Sequence, residues 1–116
     1  MRREGWHHAI TIQFLGEQDG LAERALKGEL APVLRESFCV NKAYLARVEY
    51  GPSNTSSVAL CLVANAEPPE RLLRELGSVF RRMFSDSQHL DILVVDREQE
   101  VRLARVCQPF FAANRT

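Results

Sequence analysis

The central part of the chain alternates apolar runs with a helical repeat. Val58-Ala59-Leu60-Cys61-Leu62-Val63 is a near-continuous apolar run of strand length. Turn residues Asn65 to Pro69 come next, and then Leu72, Leu73, Leu76, Val79, Phe80, Met83 and Phe84 fall on one face of a helix. Pro68 or Pro69 suits the first turn of that helix, and Arg81 and Arg82 complement the dipole at its end. Leu90 to Val95 then returns to strand character. Together these residues predict a buried strand, an amphipathic helix and a second buried strand.

Upstream, Ile10, Ile12 and Phe14 alternate with Thr11 and Gln13, which predicts a strand from Ala9 to Leu15. Gly16 to Gly20 is turn chemistry, with Asp19 a candidate cap for the next helix. Leu26, Leu30, Val33 and Leu34 recur at helical spacing, while Gly28 and Pro32 predict a kink or two shorter pieces. From Asn41 to Tyr50 a further strand sets Tyr44, Ala46, Val48 and Tyr50 on one face and Ala43, Leu45, Arg47 and Glu49 on the other. Gly51 to Ser56 is a polar loop of hairpin length. Near the C-terminus, Asp96 with Gln99 three residues on forms a capping-box pattern that starts a short third helix. Pro109 ends it and leads into Phe110-Phe111.

The order is β-α-β-β-α-β plus a short C-terminal helix, with no linker long enough to divide residues 1–116 into two domains. It predicts an α+β fold: a four-stranded, mainly antiparallel sheet in a ferredoxin-like sandwich with both long helices on one face. A differently ordered sheet built from the same elements is the alternative, because periodicity leaves strand order open.

Ala43-Tyr44-Leu45 opening a strand after a helix, the apolar Val58 run, the leucine-rich helix, Leu90 to Asp96 and Pro109-Phe110-Phe111 occur in an order that resembles a known family. It is the C-terminal domain of the bacterial SseB proteins, named for enhanced serine sensitivity. The pattern covers roughly Phe14 to Ala112. The resemblance implies a small bacterial module, standing alone without the N-terminal SseB domain. It carries no catalytic motif to transfer.

Charge narrows the partners. Fifteen basic residues balance fifteen acidic ones among 116, which removes the electrostatic basis of generic nucleic-acid binding and of a polybasic membrane patch. RNA-recognition domains share this element order but stack bases on aromatics of their central strands, and Val58 to Val63 has none. No run approaches the ~20 apolar residues of a membrane span. The basic N-terminus lacks the apolar stretch of a secretory signal. The expectation is a reduced, cytoplasmic protein.

Candidate chemistry is sparse. Cys39, Cys61 and Cys107 are too scattered for a disulfide framework, and their apolar neighbours raise rather than lower a thiol pKa. His7 and His8, beside Trp6, are adjacent and point to opposite faces of a strand start; neither they nor Cys61 and His89 have metal-ligand spacing. Asp96 reads as a helix cap and Asp91 as an open-face or edge charge. No catalytic, metal or cofactor residue is therefore assigned.

The sheet surface remains. With Ile10, Ile12, Phe14, Leu60, Leu62, Ile92 and Val94 assigned to the helix-covered face, the opposite parity presents Leu45, Ala59, Cys61, Val63, Leu93 and Val95. Those six are the interface candidates, since a sheet with one wet face usually shows polar residues there. Either the segment around Phe110-Phe111 covers them or a protein partner does, most simply a second subunit across a two-fold axis. The leading expectation is a non-enzymatic, self-associating interaction module. The alternative, an amino-acid-type sensing or regulatory domain, rests on the family's name and on ferredoxin-like sensors.

Overall fold

The computed structural model describes residues 12–51, 56–84 and 88–113. The chain is an α+β protein whose elements run β1 (Ile12–Glu17), α1 (Leu21–Arg35), β2 (Val40–Tyr50), β3 (Ser56–Ala64), α2 (Glu70–Met83), β4 (Leu90–Val94), α3 (Arg97–Ala104) and β5 (Phe111–Ala112). Ala9, Ile10 and Thr11 of the expected first strand, and Pro52 to Thr55 of the expected loop, lie outside the described residues.

The sheet order is β1-β2-β3-β4, with β5 beside β2. The pairings β1/β2, β2/β3 and β2/β5 are antiparallel, and only β3/β4 is parallel. A parallel pair needs a crossover, and α2 supplies it. The mainly antiparallel sheet and the element order are those of a small ferredoxin-like sandwich. The strand order is the alternative one, because β3 and β4 sit side by side and the terminal β-α-β unit is not split.

Two cores sit on opposite faces of the sheet. On one, Leu26, Leu30 and Leu34 of α1 and Leu72, Leu76, Val79 and Phe80 of α2 meet Ala43, Leu45, Leu60 and Leu62. Leucines at every fourth position of α1 make a single stripe, each contributing about 2 kcal/mol by burial. The helix runs unbroken through Gly28 and Pro32, against the kink expected there. Both residues lie on its exposed side, where the Gly28 carbonyl, deprived of a donor by the Pro32 ring, still faces solvent.

On the other face, Phe14, Tyr44, Ala46, Val48, Ala59, Cys61 and Val95 pack under Leu103 and Cys107. Ile12 and Phe14, expected on the helix-covered face, instead join this second core. Phe14 pairs with Val48, and cross-strand partners share a face.

Local signals behave unevenly. Asp96 caps α3 as expected: its Oδ1 accepts from the Gln99 N–H at 2.8 Å, and Gln99 Oε1 accepts from the Asp96 N–H at 2.9 Å. Asp19 does not cap α1. Gly20 takes that position, its N–H donating to Glu23 Oε1, while Asp19 pairs with Lys27 at 2.9 Å and Arg24 at 3.4 Å. Those two cations hold the Asp19 carboxyl below its usual range.

Phe80 is buried in the first core and stacks on Phe84 with ring centroids 4.7 Å apart. Phe80→Ala should therefore cost on the order of 3 kcal/mol or more in chemical denaturation. Phe38→Ala, at a side chain 89% exposed, should stay within about 0.5 kcal/mol of wild type. Equal midpoints for the two variants would show that α2 is misplaced.

Candidate interaction surface

The six interface candidates divide three ways. Leu45 lies on the helix-covered face, opposite Leu60 in the β2/β3 ladder, and is fully buried beneath α1 and α2; its assignment to the other face is corrected. Ala59, Cys61 and Val95 do lie on the second face, but α3 already buries them. Val63 and Leu93 are on that face at the margin of the core and half-buried.

The cover is α3, not Phe110-Phe111. Phe111 is buried in the first core, and Phe110 packs against it. Tyr44 helps fix α3 in place: its hydroxyl donates to Glu100 Oε2 at 3.0 Å, and Lys42 reaches the same oxygen at 3.2 Å. Arg102 donates to the Ile12 carbonyl and lies over the Phe14 ring. One ion pair and one phenol bond at Glu100, with the Arg102 bond to the Ile12 carbonyl, hold the middle of this eight-residue helix on the sheet.

Among the polar candidates, His7, His8 and Trp6 lie outside the described residues. His89 is exposed, with Nε2 2.6 Å from Asp91 Oδ1, and the Tyr50 hydroxyl donates to Asp91 Oδ2 at 2.6 Å. Burial and the Asp91 acceptor raise the Tyr50 phenol pKa. Among the described residues no three His, Cys, Asp or Glu side chains converge as a metal site would require. Cys39 is half-buried beside Ser37 Oγ at 3.2 Å, whereas Cys61 and Cys107 are buried.

One apolar strand lies at the rim of the sheet, with Leu90 and Ile92 packed on the first core and Leu93 on the second. Leu-Asp-Ile-Leu-Val is apolar on both parities, the pattern of a central strand with both faces covered. Yet β4 is the last strand of the sheet, four of its residues are only half-buried, and Val94 is 54% exposed. The Val95 N–H donates to the Leu62 carbonyl. Backbone groups alternate in direction, so those of Asp91 and Leu93 also turn to β3, and those of Leu90, Ile92 and Val94 point outward. No strand among the described residues pairs with that edge.

The opposite side of the sheet is treated differently. There β1 carries a bulge between Phe14 and Gly16 and ends in Glu17, while β5 pairs with the part of β2 that β1 leaves open. The Phe110 and Ala113 N–H groups bond Ala43 and Asn41 carbonyls there at 2.9 and 2.7 Å. Bulges, charges and short covering segments are the usual protection of a sheet edge. On β4 only the inward Asp91 belongs to that repertoire. Sequence periodicity misses Leu90, Ile92 and Val94 as a surface because strand order decides it.

A separate cleft of about 350 Å³ opens between the end of α1 and the start of α2, lined by Val33, Phe38, Cys39, Leu72 and Arg71 among others. No helix of the described residues is long and apolar enough to cross a membrane. Comparison with protein-family models, with curated proteins and with solved structures returned no match.

The second core has a pH signature. Burial pushes the Cys61 thiol from 9.0 up to about 12 and the Cys107 thiol up to about 11. Burial, and then Glu100, pushes the Tyr44 phenol from 10.0 up to about 12. The unfolded chain ionises these groups from about pH 9 upward while the folded chain keeps them protonated. Stability should accordingly be unaffected by them below pH 9 and fall as the pH rises from about 9 to about 12. Denaturant titrations across that range should show the decline, and Cys61→Ala should flatten it at a lower overall stability. A slope identical in the variant would remove Cys61 from the account.

Proposed function

We propose that this chain is a non-enzymatic protein-interaction module that takes up an extended segment as an additional strand on β4. The observation that carries the reading is the placing of β4 at a rim where no strand among the described residues pairs with it, with the backbone groups of Leu90, Ile92 and Val94 directed outward and the Val94 side chain half exposed. Main-chain hydrogen bonds supply affinity in strand addition, and side chains on alternate faces supply selectivity. Self-association is part of the reading, favoured by a net charge near zero, which offers little repulsion between copies. A relationship to the SseB C-terminal domain and a bacterial cytoplasmic setting belong to the same proposal. Three free thiols in Cys39, Cys61 and Cys107 suit a reducing compartment.

The test is selection of extended peptides from a random library against the full chain at low protein concentration. Bound peptides should shift the backbone resonances of β4, and Val94→Lys should weaken them on the order of tenfold or more by placing a charge on the edge. Peptides that map elsewhere, or that bind the variant equally well, would remove β4 from the proposal.

The cleft beside Phe38 favours a second reading, a small-molecule sensing domain. Its volume sits at the low end of ligand sites, and it joins the apolar Val33, Phe38 and Leu72 to the charges of Arg71, Glu36 and Glu75. Native mass spectrometry of freshly purified chain should then show a bound metabolite that Arg71→Ala loses. A bare polypeptide mass, unchanged on adding free amino acids, would end this reading.

A further inference from the structure

We infer that the cleft between the end of α1 and the start of α2 takes a free α-amino acid as its zwitterion, with an aromatic side chain preferred. The inference rests on the sensing reading of that cleft and names its ligand class.

The charges that line the cleft are of both signs and are not paired with each other. Arg71 and Glu75 stand one turn apart on α2, and side chains at this spacing are neighbours, with Cβ atoms about 6 Å apart. Glu70 and Arg74 have the same spacing on the same helix and do form an ion pair, at 3.6 Å. Arg71 and Glu75 have the reversed order, base before acid, which the helix and its dipole favour less. Among the described residues neither has an ion-pair partner. Glu36, the C-cap of α1, brings a second carboxylate to the cleft and has none either.

Such a set fits a small molecule that carries both charges close together. A guanidinium takes a carboxylate through two parallel N–H···O bonds, and the glutamates can accept from the three donors of an ammonium. An α-amino acid bears both groups on one carbon, within the span of a single helical turn. A carboxylic acid without the ammonium would meet Glu36 and Glu75 as like charges. An amine without the carboxylate would leave Arg71 unanswered.

The apolar part of the wall sets the side chain. Val33 and Leu72 line the same space of about 350 Å³, and Phe38 brings to it a ring that is 89% exposed. An aromatic side chain stacked on that ring gains more than its burial alone, because aromatic pairs have a favourable geometry of their own.

Titration of the full chain with L-phenylalanine, followed through its backbone amide resonances, tests ligand and place together. Saturable shifts should centre on residues 36–39 and 71–75. N-acetyl-L-phenylalanine lacks the ammonium and L-phenylalanine amide lacks the carboxylate, so each should bind on the order of tenfold more weakly. The double variant Glu36→Gln, Glu75→Gln should abolish the penalty for acetylation and keep the penalty for amidation. Arg71→Ala should do the reverse. Phe38→Ala should lower the affinity for phenylalanine several-fold and leave that for alanine unchanged. A merely structural role for these residues would move all the ligands alike.

No saturable shift at millimolar phenylalanine, shifts confined to other residues, or analogues that bind as well as the free amino acid would each overturn the inference. A bound metabolite of another class, seen by native mass and lost with Arg71→Ala, would then leave the sensing reading standing without this ligand. A chain that binds neither the amino acid nor any metabolite would remove both.

Discussion

The pairing of Tyr44 with Cys61 and of Leu45 with Leu60 along β2 and β3 decides which side chain meets which helix. Side chains alternate along a strand, so one register sends Leu45, Leu60 and Leu62 under α1 and α2 and sends Tyr44, Ala59 and Cys61 under α3. A slip of one residue would exchange the two sets. Tyr44 would then face the leucine stripe of α1 with its hydroxyl stripped of Glu100, a buried polar group left without its partner. Because both faces are covered, the β2/β3 ladder is held from two sides. The other strands align to it, β1 and β5 on β2 and β4 on β3.

That same ladder explains why the elements are legible in the sequence and the surface is not. Periodicity within one strand says that Tyr44, Ala46 and Val48 share a face, and they do. It says nothing about which residue of β3 stands beside Leu45; the cross-strand register sets that phase, and periodicity puts Leu45 on the wrong face for this reason. Ile12 and Phe14 fail in the same way, and the bulge between Phe14 and Gly16 shifts the register beyond them. Local chemistry fares better: the Asp96–Gln99 box spans three residues and needs no tertiary information. The two-residue β5 carries no period at all, and only the bonds of Phe110 and Ala113 to β2 reveal it.

The hidden apolar parity also has a simpler fate than an exposed interface. A short helix suffices to cover the second face because Tyr44, Lys42 and the Ile12 carbonyl anchor it through Glu100 and Arg102. Once Ala59, Cys61 and Val95 are buried in this way, the question of a partner moves from the face of the sheet to its rim. There the composition of β4 becomes informative. Leu90 and Ile92 serve the first core and Leu93 the second, so what β4 leaves over is Val94 and its outward backbone groups, whereas the other edge carries a bulge and a covering segment.

An unguarded apolar edge carries a risk of open-ended pairing, and the geometry limits it. The strand is five residues long, which restricts the hydrogen bonds any partner can form. Asp91 places a carboxylate within it, so a strand bringing an acid to the opposite position is rejected by like charge. Tyr50 and His89 hold that carboxylate in one orientation. On the opposite rim, the bulge in β1 and the cover that β5 gives to β2 keep the described residues from offering a second run of the same kind.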